Sequence, residues 1–209
     1  MVLKWLGIMM NVFSNKIKYI GFDMDGTLYD EFDFIVQPYT EISNLFFLND
    51  KVYEYMIFRW LEKGSSYNKI FDEVYSLYPL TNTTKEEFIK QALNIFREYK
   101  PTLSLSTRVI EILKYFKQYY TIFLVTDGNS KLQERKFKAL NLEKFFKKSN
   151  VIFTGCYSSE YHKPNVKATE LLNINPEETI FYGDRQIDKK FALDSGMQFK
   201  KVYNMIEVK

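Results

Sequence analysis

From Tyr120 onward the chain alternates short apolar runs with stretches of helical spacing. Tyr120 to Val125 is followed by Lys131 to Leu140, Asn150 to Phe153 by Asn165 to Leu172, and Thr179 to Tyr182 by Asp188 to Asp194, before a last run from Gln198 to Val202. Apolar runs this short read as strands buried on both faces, and the helices between them are the crossovers that parallel strands require. Asn175-Pro176-Glu177 reads as a capped turn leading into one strand, and Gly196 as the end of the helix before the last. The pattern predicts an α/β protein built on a doubly wound parallel sheet. A further apolar run, Ile17 to Phe22, supplies its first strand.

Asp23-Met24-Asp25-Gly26-Thr27-Leu28 stands directly behind that first strand. Ligands of open α/β sheets bind beyond the carboxyl ends of the strands. Alternate residues share a face, so Asp23 and Asp25 can flank one reacting group as nucleophile and acid/base partner, with Gly26 allowing the turn. Two other strand ends carry polar residues, Thr126-Asp127-Gly128-Asn129 after Val125 and Gly183-Asp184-Arg185-Gln186-Ile187-Asp188 after Tyr182; His162-Lys163-Pro164 lies between them.

These four motifs, in this order, resemble those of the haloacid dehalogenase (HAD) superfamily, from about Ile17 to the C-terminus. The resemblance implies a Rossmann-like core and Mg²⁺-dependent phosphoryl transfer. Asp23 would be the nucleophile, forming an aspartyl-phosphate, and Asp25 would protonate the leaving oxygen and then take a proton from the attacking water. Thr126, with the amides of Asp127 and Gly128, would bind phosphoryl oxygens, and Lys163 would match the charge of the transition state. Mg²⁺ prefers hard oxygen ligands, so Asp23 and Asp184 would hold it together with the backbone carbonyl of Asp25; Asp188, one helical turn beyond Asp184, would tether a metal-bound water or Lys163. No organic cofactor is needed.

Between Tyr29-Asp30 and the next core element lie about 75 residues of helical pattern. Tyr53, Ile57, Trp60 and Leu61 fall at helical spacing ahead of Gly64, a C-terminal cap, and Ile89, Ala92, Leu93 and Phe96 follow Thr84 and Glu87 in capping-box spacing. A crossover needs one helix, which Thr107 to Gln118 supplies with Val109, Ile112, Leu113 and Phe116 on one face. The earlier helices are therefore an insertion, with Pro101 marking the return to the core. Residues 1–30 and 101–209 are expected to form the core and 31–100 a small all-α domain, which in the superfamily is a cap over the active site.

Composition narrows the partners. A net charge of +3, with Lys and Arg dispersed among acids, does not indicate a nucleic-acid partner. A lone Cys156 excludes an internal disulfide and fits a reducing compartment. The apolar opening Met1 to Met10 is too short for a membrane span, so a cytoplasmic location is expected. Nothing in the sequence sets an oligomeric state.

Superfamily members that cleave carbon–halogen bonds lack an aspartate at the place of Asp25, so phosphoryl chemistry is expected. The leading reading is a phosphatase for a small phosphorylated metabolite such as a sugar phosphate, phosphoglycolate or a nucleotide monophosphate. A phosphomutase acting on a sugar phosphate is the alternative, and a non-catalytic binding or regulatory protein a more distant one. His162, Arg59 and the insertion's aromatic residues are assigned no catalytic part.

Overall fold

A computed structural model describes residues 16–202; the opening Met1 to Met10 lies outside the described residues. Five parallel strands, β1 (Tyr19–Phe22), β2 (Thr121–Thr126), β3 (Val151–Phe153), β4 (Thr179–Gly183) and β5 (Gln198–Lys201), form one sheet in the order β3-β2-β1-β4-β5. The chain builds outward from β1 through β2 to β3 and then returns to β4 on the other side. That reversal creates a topological switch point between β1 and β4, the place where open α/β sheets bind ligands.

In chain order the helices are α1 (Glu31–Phe46), α2 (Asp50–Lys63), α3 (Ile70–Leu77), α4 (Lys85–Glu98), α5 (Thr107–Tyr119), α6 (Ser130–Ala139) and α7 (Gln186–Asp194). Among the described residues no helix is long and apolar enough to cross a membrane. The chain divides into two compact units, with breaks at Asp30/Glu31 and at Leu103/Ser104.

The first unit holds the sheet. Gly21 pairs with Phe123 on one side and Phe181 on the other. A Cβ at Gly21 would lie 2.3 Å from Phe123 Cζ and 2.6 Å from Phe181 Cδ2, so glycine is what lets both rings fill this face of the central strand. Phe123 and Phe181 join Val125, Ile152, Phe191 and Met197 in one buried cluster. Phe22 meets Phe116 of α5 and Tyr182 at centroid distances of 5.9 and 5.5 Å. Each such buried ring contributes about 1.5–3 kcal/mol. Ser106 accepts from the Val109 amide to start α5, whose buried residues are Val109, Leu113 and Phe116.

Residues 165–172 differ from expectation. Only a 3₁₀ helix, Val166–Leu171, forms there, with Ala168 and Leu172 buried.

The second unit is α1 to α4. Gly64 ends α2 by donating to the Trp60 carbonyl, and Thr84 and Glu87 form the capping box of α4. The buried stripe of α2 is Val52 and Met56, whereas Leu61, expected on it, is exposed. Phe88 and Ala92 are the buried residues of α4, and Phe88 packs edge-on to Phe46, Phe47 and Phe71. The aromatic surplus of the composition is spent largely in such ring-to-ring packing.

Candidate active site

Where β1 ends, Asp23 still donates its amide to the Tyr182 carbonyl of β4 (2.9 Å), so its side chain emerges at the switch point. The chain then turns sharply, with the Thr27 and Leu28 amides returning to the Met24 carbonyl and Gly26 at φ 72°. A Cβ on Gly26 would lie 2.6 Å from Asp184 Oδ2. The glycine therefore serves both the left-handed turn and the close approach of the β1 and β4 tips. Across that gap the Thr27 hydroxyl donates to Asp184 Oδ1 at 3.3 Å.

Lys163 lies between two carboxylates, its Nζ 2.6 Å from both Asp23 Oδ1 and Asp188 Oδ1, and all three side chains are essentially inaccessible. Asp188 is used at both ends, because its Oδ2 accepts from the Arg185 amide at 3.0 Å. Asp23 is not: its Oδ2 is buried with no hydrogen-bond partner. Carboxylate oxygens of Asp23, Asp184 and Asp188 lie within 4.8 Å of one another.

Acids outnumber bases here. Asp23, Asp25, Asp184 and Asp188 face the two buried ammonium groups of Lys136 and Lys163 and the Arg185 guanidinium at the rim, 3.9 Å from Asp188. Burial pushes Asp23 up to about 7 against the pull of Lys163, with Asp188 adding to the rise. Burial and then Asp188 raise Asp184 as well. Lys163 is drawn down by its own burial, yet Asp23 and Asp188 hold it above the ordinary lysine range. Surplus negative charge raises acids and base alike. An unpartnered carboxylate oxygen among clustered hard oxygens, with charge left to neutralise, fits a divalent cation such as Mg²⁺.

The Asp25 carboxylate points elsewhere, towards α6. Its Oδ1 accepts from Lys136 Nζ at 2.8 Å and from the Tyr29 hydroxyl, and its Oδ2 from Gln133 Nε2 at 2.6 Å. Burial works to raise Asp25, but the Lys136 charge and the hydrogen bonds from Lys136, Tyr29 and Gln133 outweigh it, and the net shift is downward. The Asp25 carboxylate, engaged by these three donors, is not among the clustered acids Asp23, Asp184 and Asp188.

At the tip of β2, Thr126 is buried, with its Oγ1 3.1 Å from Gln133 Nε2. The Asp127 side chain turns away, accepting from the Thr154 hydroxyl (2.7 Å) and the Lys163 amide (3.2 Å), which ties down the turn that carries Lys163. Asp127 is thus left with its backbone to offer a ligand, beside Gly128 at φ 117°. The structure brings Asp23, Thr126, Lys163, Asp184 and Asp188 to neighbouring strand tips and adds Tyr29, Gln133, Lys136 and Thr154, which sequence reasoning did not single out. A glutamine and a lysine three apart on the sheet-facing side of α6 were the available signal, but on an isolated helix such residues read as solvated.

Fold and site together define an α/β protein with a cluster of acids at the switch point of its parallel sheet. The chain belongs to the haloacid dehalogenase-like hydrolase family, whose model matches residues 20–202. Among curated proteins, the pyrophosphatase PpaX of Bacillus mycoides (strain KBAB4) is 26% identical over 178 residues, covering 83% of this chain and 77% of that protein. Among solved structures, a protein assigned as the HAD-hydrolase YfnB of Bacillus subtilis, bound to magnesium, superposes with a TM-score of 0.66 at 16% identity, covering 88% of this chain and 85% of that one. A protein assigned as a beta-phosphoglucomutase of Thermotoga maritima gives 0.64 at 20%, covering 88% and 84%. At these identities the structural likeness is one of fold.

Proposed function

We propose that the protein is a Mg²⁺-dependent phosphatase that hydrolyses a small phosphorylated metabolite through an aspartyl-phosphate on Asp23. The observation that carries this reading is the Asp23 carboxylate: one oxygen is fixed by Lys163 and the other is buried and unpartnered beside two more acids. Such a group is oriented but not saturated, as a nucleophile must be.

Asp23, Asp184 and the Asp25 carbonyl would hold Mg²⁺, with Asp188 behind them orienting Lys163. The ion, when bound, supplies the positive charge that lets a phosphate dianion approach a carboxylate. The chain's own residues do the rest. One carboxylate oxygen of Asp23 bonds to phosphorus as the bond to the leaving oxygen breaks, and Asp25, once protonated against the pull of Lys136, gives that oxygen its proton. Thr126 and the amides of Asp127 and Gly128 hold phosphoryl oxygens, while Lys163 balances the charge that spreads over them. Water then attacks phosphorus, Asp25 recovers a proton from it, and the phosphorus–Asp23 bond breaks to release phosphate.

Residues 31–103 are assigned the choice among sugar phosphates, phosphoglycolate and nucleotide monophosphates, with a cytoplasmic site of action. The pyrophosphatase relative adds inorganic pyrophosphate to that set, and the mutase-like neighbour keeps a phosphomutase as the second reading. The test is phosphate release from a panel of these compounds, with and without Mg²⁺, beside an Asp23→Asn control. Mg²⁺-dependent release abolished in Asp23→Asn supports the phosphatase; interconversion of sugar phosphate isomers without release moves the assignment to the mutase, and neither activity refutes both.

A further inference from the structure

Asp25 is held by three donors that come from two directions. Gln133 and Lys136 stand one helical turn apart on α6 and are 4% and 3% exposed, and Tyr29 follows the β1 turn. Lys136 Nζ and the Tyr29 hydroxyl meet one Asp25 oxygen, and Gln133 Nε2 meets the other. The same Gln133 nitrogen lies 3.1 Å from Thr126 Oγ1 and 2.5 Å from the Asp127 carbonyl. One amide therefore ties the Asp25 carboxylate to the strand tip that carries the phosphate-binding donors. A lysine buried on the sheet side of an amphipathic helix loses its hydration, and nothing in core packing requires a charge there. Here that charge is set against the Asp25 carboxylate.

We propose that Gln133 and Lys136 are positioning residues that hold the Asp25 carboxylate in register with Thr126 for its proton transfers. The proposal rests on the phosphatase reading above. In the second half-reaction a water oxygen bonds to phosphorus, the phosphorus–Asp23 oxygen bond breaks, the water's proton passes to Asp25, and phosphate leaves with Asp23 again a carboxylate. If Asp25 drifts, this step slows. The first half-reaction is spared for a substrate whose leaving group departs without a proton.

p-Nitrophenyl phosphate is such a substrate, and glycerol phosphate is not. With p-nitrophenyl phosphate, Lys136→Met is expected to lower kcat about 10- to 100-fold, a fraction of what general acid–base catalysis supplies. KM should fall in parallel, leaving kcat/KM within about threefold, and acid-quenched protein should carry more covalent phosphate than wild type. With glycerol phosphate kcat/KM itself should fall. Gln133→Met, which keeps the volume and removes the uncharged donor, should give the same split and serves if Lys136→Met does not fold. A loss of kcat and kcat/KM together on both substrates, without added covalent phosphate, marks a purely structural role and overturns the proposal; so does a variant as active as wild type when Asp25→Asn is inactive. In both cases the phosphatase reading stands. A wild type that releases phosphate from neither substrate nor the panel removes that reading and the positioning role with it.

Discussion

Lys163→Met removes the one ammonium group that serves two buried carboxylates, Asp23 and Asp188, and keeps the length of the side chain. Breaking a buried pair by deleting one partner costs about 3–5 kcal/mol, because the remaining charge has neither water nor a counter-ion. The two pairs share one lysine, so their costs do not add, and a loss of about 4 kcal/mol is the expectation. For a chain of this size that is a fall of about 8–16 °C in the melting temperature. The loss depends on pH in a defined direction. Asp23 already sits near 7, and without Lys163 it rises further, so protonation relieves the repulsion as pH falls. The deficit should be full at about pH 8 and smaller at about pH 5.5. Thermal melts of wild type and Lys163→Met in EDTA at both pH values measure it, and Mg²⁺ at about pH 8 should return part of the loss by binding the folded state. A deficit under about 1 kcal/mol at pH 8, or one that grows towards pH 5.5, would refute the reasoning.

Gly26→Ala places a Cβ 2.6 Å from Asp184 Oδ2 at a residue with φ 72°, so the β1 and β4 tips must part. The strain should cost about 1–3 kcal/mol while phosphate release falls far more than stability does, as activity assays beside melts would show. In the helical unit, Glu73 accepts from Arg59, Tyr55 and Tyr67, and Arg59 is the largest cause holding it down at about 2. Its contribution is present above the ordinary glutamate value near 4.5 and is lost as pH falls from there to about 2. Glu73→Gln should therefore be less stable than wild type by about 1 kcal/mol near neutrality, after allowance for solvent screening, and the two should converge in acid melts.

What could be read from the sequence and what could not divide along physical lines. The alternation of apolar runs and helices specified the parallel sheet because the central strands β1, β2 and β4 are buried on both faces and carry their own signal, whereas the edge strand β5 is largely exposed. The strand-tip acids were visible because they interrupt those runs. Lys163 was legible only through its order among the motifs, since nothing local to His162-Lys163-Pro164 says that its ammonium will sit between Asp23 and Asp188. Tyr29, Gln133 and Lys136 were not legible, because their meaning depends on which face of α6 meets the β1 turn, a tertiary fact. The α2 stripe failed in part for a related reason: Tyr53, Ile57 and Leu61 share one periodic face, but Val52 and Met56, one residue earlier in the chain and about 100° round the helix, are the residues its neighbours bury, and of the expected stripe only Trp60 falls on their side. Periodicity finds a helix more readily than it finds which side of an aromatic-rich helix faces inward.

The most direct measurement is to find the covalent intermediate. Wild-type protein mixed with Mg²⁺ and p-nitrophenyl phosphate, quenched in acid during turnover and reduced with borohydride, should yield homoserine at position 23, the product expected from an aspartyl-phosphate, and none in Asp23→Asn. Steady phosphate release with position 23 unmodified, or with the label on another residue, would contradict the assignment of Asp23 as the nucleophile.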